Sequence, residues 1–171
     1  MWLIGAYLLI ASAAFLLSVY AAYSDSRSFI IPNWISLIIA FLYFPVVFMA
    51  PHEINWIYGL ITGVIVFAIG FALFALRILG GGDVKILAAL SLWAGTEYIL
   101  HFLFAVAVSG GLLVVVLLAK EIARKTKEDG LFLTNIKSSL RAGLKVPYGV
   151  AIALGSLPVF YHYAIAVFPL S

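Results

Sequence analysis

Val84-Lys85-Ile86-Leu87-Ala88-Ala89-Leu90-Ser91-Leu92-Trp93-Ala94 decides the fold, because the number of membrane crossings turns on whether this stretch spans. A spanning helix needs about 20 apolar residues at about 1.5 Å each, and this run is shorter. Gly95-Thr96-Glu97 follows it as a turn signal. Longer apolar runs lie on both sides: Trp2 to Tyr23, Trp34 to Ala50, Trp56 to Leu76, Tyr98 to Ala119 and Tyr148 to Phe168. The short run can cross only where the bilayer is thinned or lined by protein. Charge placement arbitrates. If it crosses, all 10 basic residues fall on one side, from Arg27, Arg77 and Lys85 to Lys145. If it does not, three of them face the other seven. The positive-inside rule therefore predicts six transmembrane helices, with both termini non-cytoplasmic.

Composition agrees. Of 171 residues 65% are hydrophobic and 10% charged, with a mean hydropathy of +1.19; soluble domains are about 25% charged. The expectation is an all-α, polytopic membrane protein, one membrane-embedded domain over residues 1–171. The absence of cysteine excludes disulfides, thiol catalysis and cysteine-ligated zinc, and is compatible with either redox compartment. Met1-Trp2-Leu3-Ile4 has no basic n-region, so the first run reads as an uncleaved span.

Lys120 to Val146 is the long polar stretch. Its later part sets Leu133, Ile136, Leu140 and Leu144 at helical spacing among Lys137, Arg141 and Lys145. That pattern suits a basic amphipathic helix on anionic lipid at the cytoplasmic face; an ordinary loop helix fits as well. His52, His101 and His162 lie scattered and suggest no metal site. Trp34, Trp56, Trp93, Tyr98 and Tyr148 fall near span ends, as an interfacial aromatic belt would. The serines inside spans have no partner base at useful spacing. Gly59, Gly63, Gly110 and Gly111 suit close helix packing. Arg77 could pair with a carboxylate or with lipid phosphate.

Two acids remain, each at the inner end of a span. Asp25 lies in Asp25-Ser26-Arg27-Ser28-Phe29-Ile30-Ile31-Pro32-Asn33, and Asp83 in Gly80-Gly81-Gly82-Asp83-Val84-Lys85. Each has a plain explanation. Asp83 could be a helix N-cap after a glycine turn. Asp25 could be a solvated loop acid paired with Arg27, with Pro32-Asn33 only opening the second helix. As a pair they offer more, since carboxylates at membrane depth default to function. Two that share one proton can act together, one taking a proton from water while the other polarises a peptide carbonyl. No metal and no cofactor is needed. The glycines would let a substrate backbone approach the carboxylate closely.

At these residues the chain resembles the type IV prepilin peptidase family, membrane aspartyl proteases that process prepilins and archaeal preflagellins. Asp25 through Ile31-Pro32-Asn33 is similar to the family's first aspartate segment. Gly80-Gly81-Gly82-Asp83-Val84-Lys85 resembles its Gly-x-Gly-Asp motif, and Val146-Pro147-Tyr148-Gly149-Val150-Ala151 its approach to the last span. The resemblance implies that Asp25 and Asp83 are the catalytic pair and that a basic leader is cleaved at the cytoplasmic face. Gly80, Gly81, Gly82, Pro32, Asn33 and Lys85 are expected to contact substrate. Longer bacterial members carry a cysteine-containing insert between the first two spans and also methylate the new N-terminus. Here that loop is only Ser24 to Asn33, so the resemblance is to the short form serving Flp-type (tight-adherence) pili or archaeal preflagellins.

The expected function is that of an aspartic endopeptidase without N-methyltransferase activity, in the inner (cytoplasmic) membrane. Its expected partners are a prepilin-like substrate and lipid, with no nucleic acid. The alternative is a non-enzymatic six-span protein, such as a small transporter subunit or scaffold. A transporter, however, places ionisable groups near the bilayer midplane, and these cluster at one edge.

Overall fold

The computed structural model describes residues 2–50, 54–129 and 146–167, with side chains in the long fourth helix described as far as Arg124. Six helices make up the described chain: α1 (Trp2–Ser28), α2 (Asn33–Met49), α3 (Trp56–Ala75), α4 (Gly81–Asp129), α5 (Tyr148–Gly155) and α6 (Leu157–Ile165). Among the described residues four stretches are long and apolar enough to cross a membrane: α1, α3, α4 as far as Arg124, and Tyr148–Ile165 spanning α5 and α6. The apolar α2 is shorter, at 17 residues. The amphipathic segment expected around Leu133 to Lys145, and His52, lie outside the described residues.

α4 is broken at Gly95, where φ is +54° and ψ is −168°. That backbone geometry is open essentially to glycine alone. The break reverses the chain. Before it, Trp93 packs on Phe160 and Tyr163 of α6 at ring distances of 5.3 Å, and just beyond it Tyr98 meets His162 at 4.2 Å. The chain then returns along α5, where Ser109 Oγ donates to the Ala151 carbonyl at 2.9 Å. The expected division into Val84–Ala94 and Tyr98–Ala119 thus appears as two antiparallel arms of one interrupted helix. The expected last span is nearly continuous, since Ser156 between α5 and α6 keeps helical angles (φ −76°, ψ −14°).

The core is aromatic and centres on the first arm of α4. Trp93 is buried and donates its Nε1–H to the Ile39 carbonyl at 3.0 Å, while Tyr163 Oη donates to the Trp93 carbonyl at 3.0 Å. Trp93 is therefore a core residue tying α2, α4 and α6 together, and not part of an interfacial belt. Its indole N–H finds a partner inside the bundle, as a buried tryptophan requires. Gly59 and Gly63 do permit close packing, because a Cβ on Gly59 would collide with the Tyr43 side chain of α2 and the Leu92 carbonyl of α4, and one on Gly63 with the Leu92 side chain. Gly111 faces open space and Gly110 makes only ordinary contact with Ala151, whereas the tight approach of this part of α4 to α5 is at Gly155, against Val106.

Two helix ends shape the loops that carry the acids. α3 closes with Arg77 N–H bonded to the Phe74 carbonyl and Ile78 N–H to the Leu73 carbonyl, both at 2.9 Å. This is a Schellman cap with Arg77 in the left-handed position, at φ +60°. α1 closes with Phe29 N–H on the Asp25 carbonyl at 2.9 Å, Phe29 being left-handed at φ +53°.

Candidate active site

Asp25 lies in the last turn of α1, not in a loop. The left-handed Phe29 turns the chain back across the helix end, and Ser24 Oγ fastens the return by donating to the Ile30 carbonyl at 2.8 Å. The side chain of Asp25 points inward and is 6% exposed. Its Oδ2 accepts a buried hydrogen bond from the Gly149 backbone N–H at 2.7 Å. Gly149 is the second residue of α5, so this N–H is one of the donors that a helix start leaves unpaired, at the positive end of its dipole. Arg27 instead places its guanidinium over the Tyr23 ring, 5.2 Å from the centroid. Asp25 is therefore not the solvated acid paired with Arg27 that a loop would give.

Asp83 occupies the third position of α4. The Val84 N–H bonds to the Gly80 carbonyl at 3.1 Å, so Gly80 and not Asp83 is the N-cap. The Asp83 carboxylate folds back toward Gly80, the direction that third-position acids take in a capping box. It is half-buried. A Cβ on Gly80 would stand 2.7 Å from Asp83 Oδ2, so glycine there leaves one side of the carboxylate open. The other two glycines pack: a Cβ on Gly81 would meet Phe74 at 3.2 Å, and one on Gly82 would meet Ile31 at 3.1 Å.

Ile31 is the neighbour common to the glycines that adjoin the two acids. Besides backing Gly82, it would lie 3.1 Å from a Cβ on Gly149, which would itself stand 2.9 Å from Asp25 Cβ. The charge of Asp25 acts on Asp83. Carboxylates far apart in sequence thus share one end of the bundle, assembled from the end of α1 and the starts of α2, α4 and α5. Pro32 is the N-cap of α2. Asn33 is its first helical residue, and its Oδ1 accepts from Lys85 Nζ at 2.8 Å, which pins the start of α2 to the start of α4.

A family model for the type IV leader peptidases matches residues 10–115. The chain belongs to the type IV leader peptidase family. Comparisons with curated proteins and with solved structures gave no match. As a leader peptidase family member with several apolar helices, the chain is a multi-pass membrane protein of a peptidase family. The match takes in both aspartates, the Pro32-Asn33 pair, Gly80 to Gly82 and Lys85, and stops short of Val146 to Ala151. In that remaining segment the structure supplies what sequence reading left without a role, the Gly149 N–H on Asp25. A backbone donor has no side-chain signature; a glycine placed just after the proline that opens a helix was the available sign.

Proposed function

We propose that the chain is a membrane aspartyl endopeptidase that removes the basic leader of prepilin-like or preflagellin-like precursors at the cytoplasmic face, with Asp25 and Asp83 as its catalytic pair. The observation that carries this reading is the position of a buried and a half-buried carboxylate, from helices far apart in sequence, at one end of the bundle around Ile31, in a chain of a leader peptidase family. Like charges at such a site favour a shared proton. One carboxylate takes a proton from a water molecule as the water oxygen attacks the scissile carbonyl. The other, protonated, donates to the carbonyl oxygen. Collapse of the resulting diol breaks the C–N bond as the amide nitrogen takes up a proton, and the pair is left with one proton, as it began. No metal enters the steps.

The reading includes a single domain with six crossings, both termini non-cytoplasmic, and Gly80, Gly81, Gly82, Pro32, Asn33 and Lys85 around the substrate. The reversal at Gly95 supports counting the two arms of α4 as separate crossings. The short segment between α1 and α2, without cysteine, supports cleavage without N-methylation. The test is cleavage of a precursor with a basic leader, a glycine and an apolar helix, by the unsubstituted protein and by Asp25→Asn and Asp83→Asn in membranes. Substantial cleavage by either variant at matched protein level removes the aspartyl mechanism.

A further inference from the structure

α2 and α3 both pack on the first arm of α4 but scarcely on each other. Between them runs a groove of about 460 Å³. Ala88, Ala89 and Leu92 form its floor, and Leu37 and Phe67 stand on its walls. Its head is made by Asn33 and Lys85, which adjoin Asp83. From Lys85 to Leu92 the floor is about two helical turns, ~10 Å, long. Below this head one polar side chain breaks the apolar lining. Ser36 is 6% exposed, lines the groove, and its hydroxyl has no hydrogen-bond partner among the described residues. A buried hydroxyl left unpaired inside a protein calls for an explanation.

We propose that this groove seats the apolar helix of the substrate, the segment that follows the scissile peptide, with its first turn at Asn33 and Ser36 and its body running toward Leu60 and Leu92. The inference rests on the peptidase reading given above. Three features fix the occupant and its direction. The groove's head is Lys85, two residues past Asp83 on α4, and Asn33, two past Ile31, so a chain leaving the carboxylates has only the starts of α2 and α4 to pass before it enters. The Lys85 ammonium at its head repels a basic leader, which leaves the groove to the other side of the cut. Finally, the first turn of any helix exposes unpaired N–H groups, costly in lipid; Asn33 Oδ1 at the groove's head accepts one, and Ser36 Oγ, enclosed in the empty groove, accepts another once its side chain rotates toward the seated helix. The groove takes one stripe of the substrate helix. The rest of the helix faces lipid, as a segment released into the bilayer must.

Photocrosslinking tests this. Protein carrying Asp83→Asn and p-benzoylphenylalanine at Leu37 or Phe67, or at the exposed positions Leu9 or Leu112, is placed in phospholipid nanodiscs. The probe is a synthetic peptide with a lysine-rich leader, a glycine and about 20 apolar residues. The expected result is crosslinks to the probe from positions 37 and 67 and few from 9 and 112. Ser36→Ala should leave thermal stability unchanged or raised, because no bond within the protein is lost, yet raise KM for the probe about tenfold, the worth of one hydrogen bond. A lowered melting temperature with unaltered KM would make Ser36 merely structural and overturn its role. Cleavage of the probe by unsubstituted protein with crosslinks spread evenly over the four positions would overturn the groove and spare the peptidase reading. Groove crosslinks without cleavage would support the groove and count against that reading. Crosslinks at 37 and 67 to phospholipid alone, with the probe present, would make an acyl chain the occupant and overturn the proposal, as would neither cleavage nor crosslinking.

Discussion

Replacing a carboxylate by the amide of the same shape separates chemistry from architecture. Asn at position 25 still offers an oxygen to the Gly149 N–H, and Asn at position 83 still offers one to Gly80, so both variants should insert and fold. Each should lose cleavage by at least about a hundredfold, the usual worth of a positioned proton-transfer group. The double variant should be scarcely worse than either single one, since residues acting as a unit are not additive. A double variant far below both singles would show independent roles. Gly149→Ala is the companion prediction. Its new methyl would stand 2.9 Å from Asp25 Cβ and 3.0 Å from Oδ2, and something must move. Displacement of a reacting group by a fraction of an ångström to an ångström costs up to about a hundredfold in rate, so cleavage should fall steeply while membrane insertion is unaffected; wild-type rates from Gly149→Ala would remove the positioning role. Both aspartates were legible in the sequence because acids are conspicuous in a chain with 65% hydrophobic residues. Gly149 was not, because what it contributes is a backbone N–H.

At the scale of the helices, the two ends that shape the site loops use residues that sequence rules do not flag. Left-handed caps are read from glycine or asparagine, and here Arg77 and Phe29 hold the positions. Arg77→Gly should accordingly stabilise the protein by about 1 kcal/mol, relieving the left-handed penalty of a residue with a Cβ, and the melting temperature in detergent should rise. A fall would mean that the arginine side chain holds more than the cap costs. Gly95→Ala should do the reverse, destabilising by about 1–3 kcal/mol at a backbone geometry that alanine resists. The break at Gly95 was itself legible, from the turn residues Gly95-Thr96-Glu97 and the shortness of the run before them. The burial of Trp93 was not. Its position near a span end resembled an interfacial anchor, and only the fold shows the Ile39 carbonyl waiting for its N–H.

For the whole molecule, the count of crossings is the expectation most open to direct measurement. The chain has no cysteine, so single cysteines can be placed at will. Ser26→Cys and Lys127→Cys should resist an impermeant thiol reagent applied outside intact cells; labelling of either would overturn the proposed orientation. Mass spectrometry of a processed substrate should find an unmethylated N-terminus. The all-helical, membrane-embedded character was legible from hydropathy alone, whereas the meeting of the first and last parts of the chain was not, because no local pattern records it. That meeting also sets an order of assembly. Both aspartates have been added to the chain by residue 83, but the donor that holds Asp25 comes only with residue 149. A nascent chain inserted as far as α4 therefore carries its two acids without the clamp, and the finished arrangement waits for the last helices to be laid into the bundle. Synthesis itself thereby delays the site until the protein around it is nearly complete.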